Sequence, residues 1–310
     1  MARSPRRMSL AAALAVEVAL LAGALTVAGA AGARHDGDRE PIARAPATVV
    51  IPTGPGRYVF DCGTNAEAHR NTANVVVTPG VPGPEHHVHD YVGNRSTDVD
   101  STDATLLRGT TTCTNGDLST FYWPVLRAGG EHSEILRPTS VRMAYLAAAT
   151  GPVVAAPRGL RAMTGDARAA TTGTSGIRAW TCEGAEDRRT DRYPRCPAGR
   201  EVRRVLEFPS CWDGVRTDSA GHRRHLGFPG ADGACPPGTF AVPRLRVTVG
   251  YRVSGDFTVD AFPEQHRSPR TDHGIMINLA PEPLMAEIVA CLNENRSCPA
   301  TAPATHPRPD

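Results

Sequence analysis

The sequence predicts a mainly β protein, a sandwich or jelly-roll-like single domain that is disulfide-bonded and closed by a C-terminal helix. Three observations carry this. Short runs rich in Val, Tyr, Phe, Trp and Thr recur between turn clusters of Gly, Pro, Asn and Asp. One segment, 283–292, instead places Leu284, Ile288, Cys291 and Leu292 on one helical face, and its start after Pro281 and Pro283 suits a first turn. Eight cysteines stand in a chain with an export-type start, the usage expected in an oxidising compartment.

In chain order, residues 1–33 have a basic start (Arg3, Arg6, Arg7), an apolar run over 10–27 and small residues before position 34. This is the layout of a secretory signal peptide. Glu17 inside the run argues against a membrane anchor, so the expected product is secreted and extracellular, with no membrane contact after cleavage. Residues 34–56 are rich in Pro, Gly, Ala and Arg without apolar periodicity and read as a flexible linker. The domain then spans 57–298, and the Pro/Ala-rich stretch 299–310 reads as a disordered tail.

Within the domain, 57–62 reads as a strand, and the three valines at 75–77 precede a turn over 79–84. Residues 119–126 are aromatic and β-prone, with Tyr122 and Trp123 either core or a sugar platform. Residues 141–149 fit strand or helix, whereas 177–182 and 202–208 read as strands. The cleanest alternation is 245–253, and 257–262 reads as its hairpin partner.

Short loops close most easily, which favours the pairs Cys182–Cys196, Cys211–Cys235 and Cys291–Cys298 and leaves Cys62–Cys113. No Cys-x-x-Cys pair speaks for zinc. The 34 basic residues are all arginine and stand against 32 acidic ones, a balance that gives no nucleic-acid footprint for the chain as a whole. A monomer is expected.

Two stretches carry the candidate chemistry. In the first, His87 and His89 are two apart, so in extended backbone both imidazoles project to one face, with Asp90, Tyr91 and Asn94 following. Such a pair serves a metal or a substrate group, or is a surface cluster in a loop. The second stretch gathers Cys211, Trp212, Asp213, Asp218, Ser219, His222 and His225. Trp212 beside Asp213 fits a sugar platform next to a carboxylate, and equally a tryptophan packed on the Cys211 disulfide.

These motifs resemble a secreted family of unknown function whose hallmark is Phe-Pro-Ser-Cys-Trp-Asp-Gly, then Asp-Ser and a His-x-x-His pair, here 208–214, Asp218, Ser219, His222 and His225. Its members occur in bacterial and fungal exoproteins, the fungal ones sometimes joined to carbohydrate-binding modules. The resemblance covers about 58–292 and also matches His87, His89, Tyr91, Gly93, Asn94, the Pro-x-Gly-Leu-Arg passage at 157–166, Cys235-Pro236 and His273. It departs from the family at Thr239, where a His-Pro is usual nearby, and at Ile275, where an acidic residue is usual.

The catalytic candidates are therefore His87, His89, Asp90, Asp213, Asp218, His222, His225 and His273, with Trp212, Tyr91 and Asn94 as substrate contacts. The cofactor is open between none and a divalent metal, whose ligands would be His87, His89, His222 and His225. Metal-free acid–base chemistry and a purely structural set of buried hydrogen bonds are the other readings. No Gly-x-Ser-x-Gly elbow, phosphate loop or His-Glu-x-x-His is present. With secretion and the family context, the expected function is a hydrolase or lyase acting on polysaccharide or cell-wall glycan. The alternative is a non-catalytic glycan-binding protein.

Overall fold

A computed structural model describes residues 36–299 apart from 49, 86, 130–132, 175, 176 and 178. The stretch 1–33, expected to be a signal peptide, and residues 300–310 of the expected tail lie outside the described residues.

Eleven strands build two antiparallel-dominated sheets: β1 Thr53–Phe60, β2 Arg70–Asn71, β3 His89–Gly93, β4 Thr120–Pro124, β5 Ser140–Ala148, β6 Arg161–Gly165, β7 Trp180–Cys182, β8 Val202–Glu207, β9 Arg244–Tyr251, β10 His273–Ile277 and β11 Ser297–Pro299. The six-stranded sheet runs β7-β8-β9-β5-β1-β11 and the five-stranded sheet β2-β3-β4-β10-β6. All neighbours are antiparallel except β1 and β11.

Period-2 alternation explains the layering. Tyr58, Phe60, Met143, Tyr145, Leu245, Val247 and Val249 face one way from the first sheet and meet Val92, Phe121, Trp123 and Met276 of the second in one core. Phe60 stacks on Tyr145 at 5.1 Å and reaches Phe121 at 6.0 Å across the gap. The other face of the five-stranded sheet carries Tyr91, Tyr122, Ile275 and Ile277, covered by Ala73, Val75, Val76 and Leu106 from the flanking loops. Tyr122 and Trp123 are both buried, so each is core. The valines at 75–77 form a turn whose first two members plug that second core.

The helix Glu282–Asn293 packs against β1 and β5 through Leu284, Met285, Ile288 and Leu292. The three disulfides that loop closure favours, Cys182–Cys196, Cys211–Cys235 and Cys291–Cys298, are formed, and so is the remaining pair Cys62–Cys113. Among the described residues no helix is long and apolar enough to cross a membrane.

Two readings of the sequence change. Residues 39–56 are not a free linker: Arg39–Pro41 pairs in parallel with Tyr193–Arg195, Ile42 and Ala45 pack on Cys182, and β1 begins at Thr53. Its glycines mislead because they serve packing; a Cβ at Gly56 would lie 2.4 Å from the Leu292 carbonyl oxygen. Phe257–Val259 is not a hairpin partner of β9 but pairs with Leu126–Ala128, since its apolar residues complete the Trp180–Tyr193 cluster instead.

Candidate functional site

The registers Tyr91↔Tyr122 and Tyr122↔Ile275 make one row across β3, β4 and β10. Two residues further along each strand, the row becomes His89, Pro124 and His273, with the low proline ring between the two imidazoles. The rings lean together over it, and His89 Nε2 lies 3.5 Å from His273 Nε2. His87 joins from the residues leading into β3, on the same face as His89, as its spacing of two predicts. Its ring lies between Phe262, at 4.4 Å, and His273, at 5.2 Å, parallel to both and edge-on to His89. One ring nitrogen from each of the three falls within 4.8 Å of the others.

Burial is nearly complete: His89 is 0% exposed, His273 2% and His87 4%. The Thr271 carbonyl accepts from His273 Nδ1 at 2.8 Å, which fixes the proton there and leaves the Nε2 lone pair facing His89. Burial, then the neighbouring His87 and His273, hold His89 well below the ordinary histidine value; the Ala73 carbonyl opposes them. Burial also lowers His273, against the Thr271 carbonyl and Asp272. Both rings are thus neutral donors near pH 7.

A stability consequence follows. The unfolded chain protonates these histidines near pH 6.5 and the folded chain does not, so stability is complete above that pH and lost as pH falls below it. Two such rings remove up to ~1.4 kcal/mol each per pH unit. Chelator-treated protein unfolded in urea should be less stable at pH 5.5 than at pH 7.5, by up to about 2–3 kcal/mol. Equal midpoints would mean that the rings are not buried and neutral.

Behind the histidines, Arg204 is wholly buried between the sheets. Its Nε donates to Asp272 Oδ2 at 2.9 Å, Nη2 pairs with Asp272 Oδ1, and Nη1 donates to the Pro124 carbonyl at 2.8 Å and to the Tyr251 hydroxyl at 3.3 Å. Burial opposes its charge, but Asp272 and Tyr251 outweigh that and raise its pKa. The Trp180 ring lies 5.3 Å from the guanidinium. Arg204 therefore ties the residue between the histidines, Pro124, to the residue before His273. Nearby, Arg127 holds both oxygens of Asp260, which accepts from the Val88 amide at 3.3 Å and pins the backbone between His87 and His89.

The other expected site residues lie elsewhere. Asp90 points to the opposite face of β3, where it accepts from Arg70 Nε at 2.6 Å and Asn65 Nδ2 at 2.9 Å; alternation along the strand excludes it from the histidine side. Tyr91 is buried against Tyr122 and donates to the Ala73 carbonyl. Asn94 donates to the Leu106 and Leu118 carbonyls and accepts from Ser96, so its amide pins loops and has no group left for a substrate.

In the second stretch, amide hydrogen bonds from Arg216 and Val215 hold Asp213 at about 2, far from a general acid near neutrality. Trp212 is half-buried at the core edge and donates Nε1 to the Arg216 carbonyl at 2.7 Å. Asp218 pairs with His222 Nδ1 at 2.8 Å. His225 is buried between Ser219 Oγ, at 2.9 Å from Nδ1, and the Arg161 carbonyl, at 2.8 Å from Nε2. Arg161 lies opposite Ile277 in β6, and Gly165 lies opposite His273 four residues, or roughly 13 Å, along the strand. His222 and His225 thus belong to a separate hydrogen-bonded loop, and His273 takes the place expected for them beside His87 and His89.

The model of a family described as a domain of unknown function, DUF1996, matches residues 74–273, about two-thirds of the chain and a span that includes all three convergent histidines. The chain belongs to that family. No curated protein and no solved structure matches it.

The DUF1996 match ends at His273, whose placement depends on a glycine. Gly165, opposite His273, has φ +75°, and a Cβ there would lie 2.1 Å from the Asp272 carbonyl oxygen and 2.7 Å from His273 Cα. Gly165→Ala should cost ~3 kcal/mol or more, read from the urea midpoint, because both the backbone angle and the overlap oppose it. In this DUF1996 chain the departure at Ile275 is also placed: the side chain is fully buried in the second core, two residues from His273 and on its face. Thr239 instead closes an exposed turn onto the Pro236 carbonyl, in the Cys235 loop.

Proposed function

We propose that this chain is a secreted metalloprotein in which His87, His89 and His273 hold a divalent transition metal, and that it acts on extracellular polysaccharide as a hydrolase or lyase. One observation carries the reading: three buried imidazoles converge, two of them, His89 and His273, held neutral, with no carboxylate or backbone group taking up the nitrogens of that pair that face each other. The 3.5 Å between those two nitrogens matches the edge of a tetrahedron with metal–nitrogen bonds of about 2.0–2.1 Å, roughly 3.4 Å. The third nitrogen needs to move in from within 4.8 Å. Neutral imidazoles suit zinc, copper, nickel or iron better than calcium or magnesium. A metal on three protein ligands would supply Lewis acidity at an open fourth position. The chain's own part is to fix the ring orientations through Thr271, Phe262 and the Arg204–Asp272 pair.

Four disulfides support an oxidising compartment and hence secretion. The polysaccharide part comes from the family context. A structural metal site is the second reading, favoured by the burial of all three rings. Protein made without a histidine tag should carry close to one equivalent of metal by elemental analysis. A panel of polysaccharides should release products with the metal-loaded protein and not with the stripped one. Release by both forms equally would end the metal-enzyme reading. No release by either, together with a metal-dependent rise in melting temperature, would leave the structural site.

A further inference from the structure

On the side of the molecule away from the histidines, the outer face of the six-stranded sheet is built of arginine. Alternation turns Leu245, Val247 and Val249 inward and therefore Arg244 and Arg246 outward. The register sets Arg57, Leu146 and Arg244 in one row across β1, β5 and β9, and Val59, Ala144, Arg246 and Glu207 in the next. Arg142, exposed, follows beside Thr248. Arg189 closes over the β8 edge and meets Glu207 Oε1 at 3.0 Å, the same oxygen that Arg246 Nη2 reaches at 2.8 Å.

These rows and their edge thus carry five guanidiniums and one carboxylate, Glu207, which Arg189 and Arg246 share, while Arg203 further along β8 is matched by Glu183, Glu186 and Glu201. Arg244 is only 3% exposed and Arg189 8%, and Arg244 Nη2 donates to the Ile51 carbonyl at 3.0 Å. The Nε–H groups of Arg189, Arg244 and Arg246 are all buried with no hydrogen-bond partner. Excess positive charge held at low exposure is costly unless an anion answers it. Planar guanidiniums select planar or tetrahedral oxyanions that can accept two hydrogen bonds.

We infer that this face binds an acidic polysaccharide through its carboxylate or sulfate groups. With strands about 4.8 Å apart, the exposed Arg57 and Arg142 and the half-buried Arg246 stand at intervals that suit an extended chain bearing anions. Val59, 44% exposed in the second row, offers apolar contact to the sugar rings. Nucleic acid fits less well, because the outward side chains of these rows include no aromatic ring on which a base could stack. The site is independent of the histidine centre, which lies on the other sheet.

The test uses the full mature chain with chelator present, so that bound metal has no part in it. Polygalacturonate and dextran sulfate are the acidic probes, unmodified dextran the neutral one and single-stranded DNA the competing polyanion. The acidic polysaccharides should bind, with affinity falling as salt rises, and dextran should not; the better of the two identifies carboxylate or sulfate. Arg142→Gln/Arg246→Gln should weaken binding about tenfold at an unchanged melting temperature. If that pair disturbs folding, the exposed pair Arg57→Gln/Arg142→Gln replaces it, with about fivefold weakening expected. Equal binding of dextran, unchanged affinity in the folded variant, or tighter binding of DNA than of both acidic polysaccharides would overturn the proposal.

Discussion

His273→Ala is expected to lower affinity for zinc or cobalt by on the order of a hundredfold or more, because it removes one of three ligands and the one whose tautomer is fixed. His89→Ala should act similarly. His222→Ala should leave affinity unchanged, since that ring pairs with Asp218 in the separate loop. Chelator competition measures the three variants on one scale. Cobalt adds an absorption band whose intensity reports a low-coordinate site, so loss of affinity can be told apart from general unfolding. If His222→Ala proved as damaging as His273→Ala, the ligand set proposed here would be wrong. If His273→Ala bound metal like the parent, there would be no such centre.

Asp272→Ala is expected to cost ~3–5 kcal/mol of folding stability, because it leaves the Arg204 charge buried between the sheets with only the Pro124 carbonyl and the Tyr251 hydroxyl as partners. Removing both charges is predicted to be much milder. Arg204→Met/Asp272→Leu should recover most of the loss, since apolar side chains of similar volume suit the surrounding Trp180 and Tyr251. Urea unfolding of the single and double variants gives the coupling directly. The double variant separates stability from positioning: if it folds well yet binds metal more weakly than the parent, the pair orients the histidines. Full metal affinity in a well-folded double variant would reduce the pair to a structural role.

Much of the architecture is legible in the chain because strand alternation is a local property. The outward and inward residues of β9, and the common face of His87 and His89, follow from counting by two. The cysteine pairs follow from loop length, and the closing helix from its apolar spacing. The site is only half legible for the complementary reason. His273 reaches His89 through two strand registers, which no single stretch of sequence encodes. The density of Asp213, Asp218, His222 and His225 drew attention because they are close in sequence, whereas their chemistry is spent on closing their own loop and tying it to β6. Arg204 did leave a trace. It shares its face of β8 with Val202 and Leu206, so a charge interrupts an inward row and calls for a buried partner.

The only parallel pairing in the six-stranded sheet has a consequence for how the chain is made. Arg57 in β1 and Ser297 in β11 are 240 residues apart and hydrogen-bonded. Synthesis at about 5–20 residues per second leaves β1 waiting for tens of seconds before its outer neighbour exists. Throughout that time one side of a Tyr- and Val-bearing strand offers bare amides and carbonyls to any other nascent chain. The helix Glu282–Asn293 and the Cys291–Cys298 clasp then deliver β11 to that edge as the last piece. Self-association during biogenesis, more than unfolding of the finished protein, is where this topology is exposed.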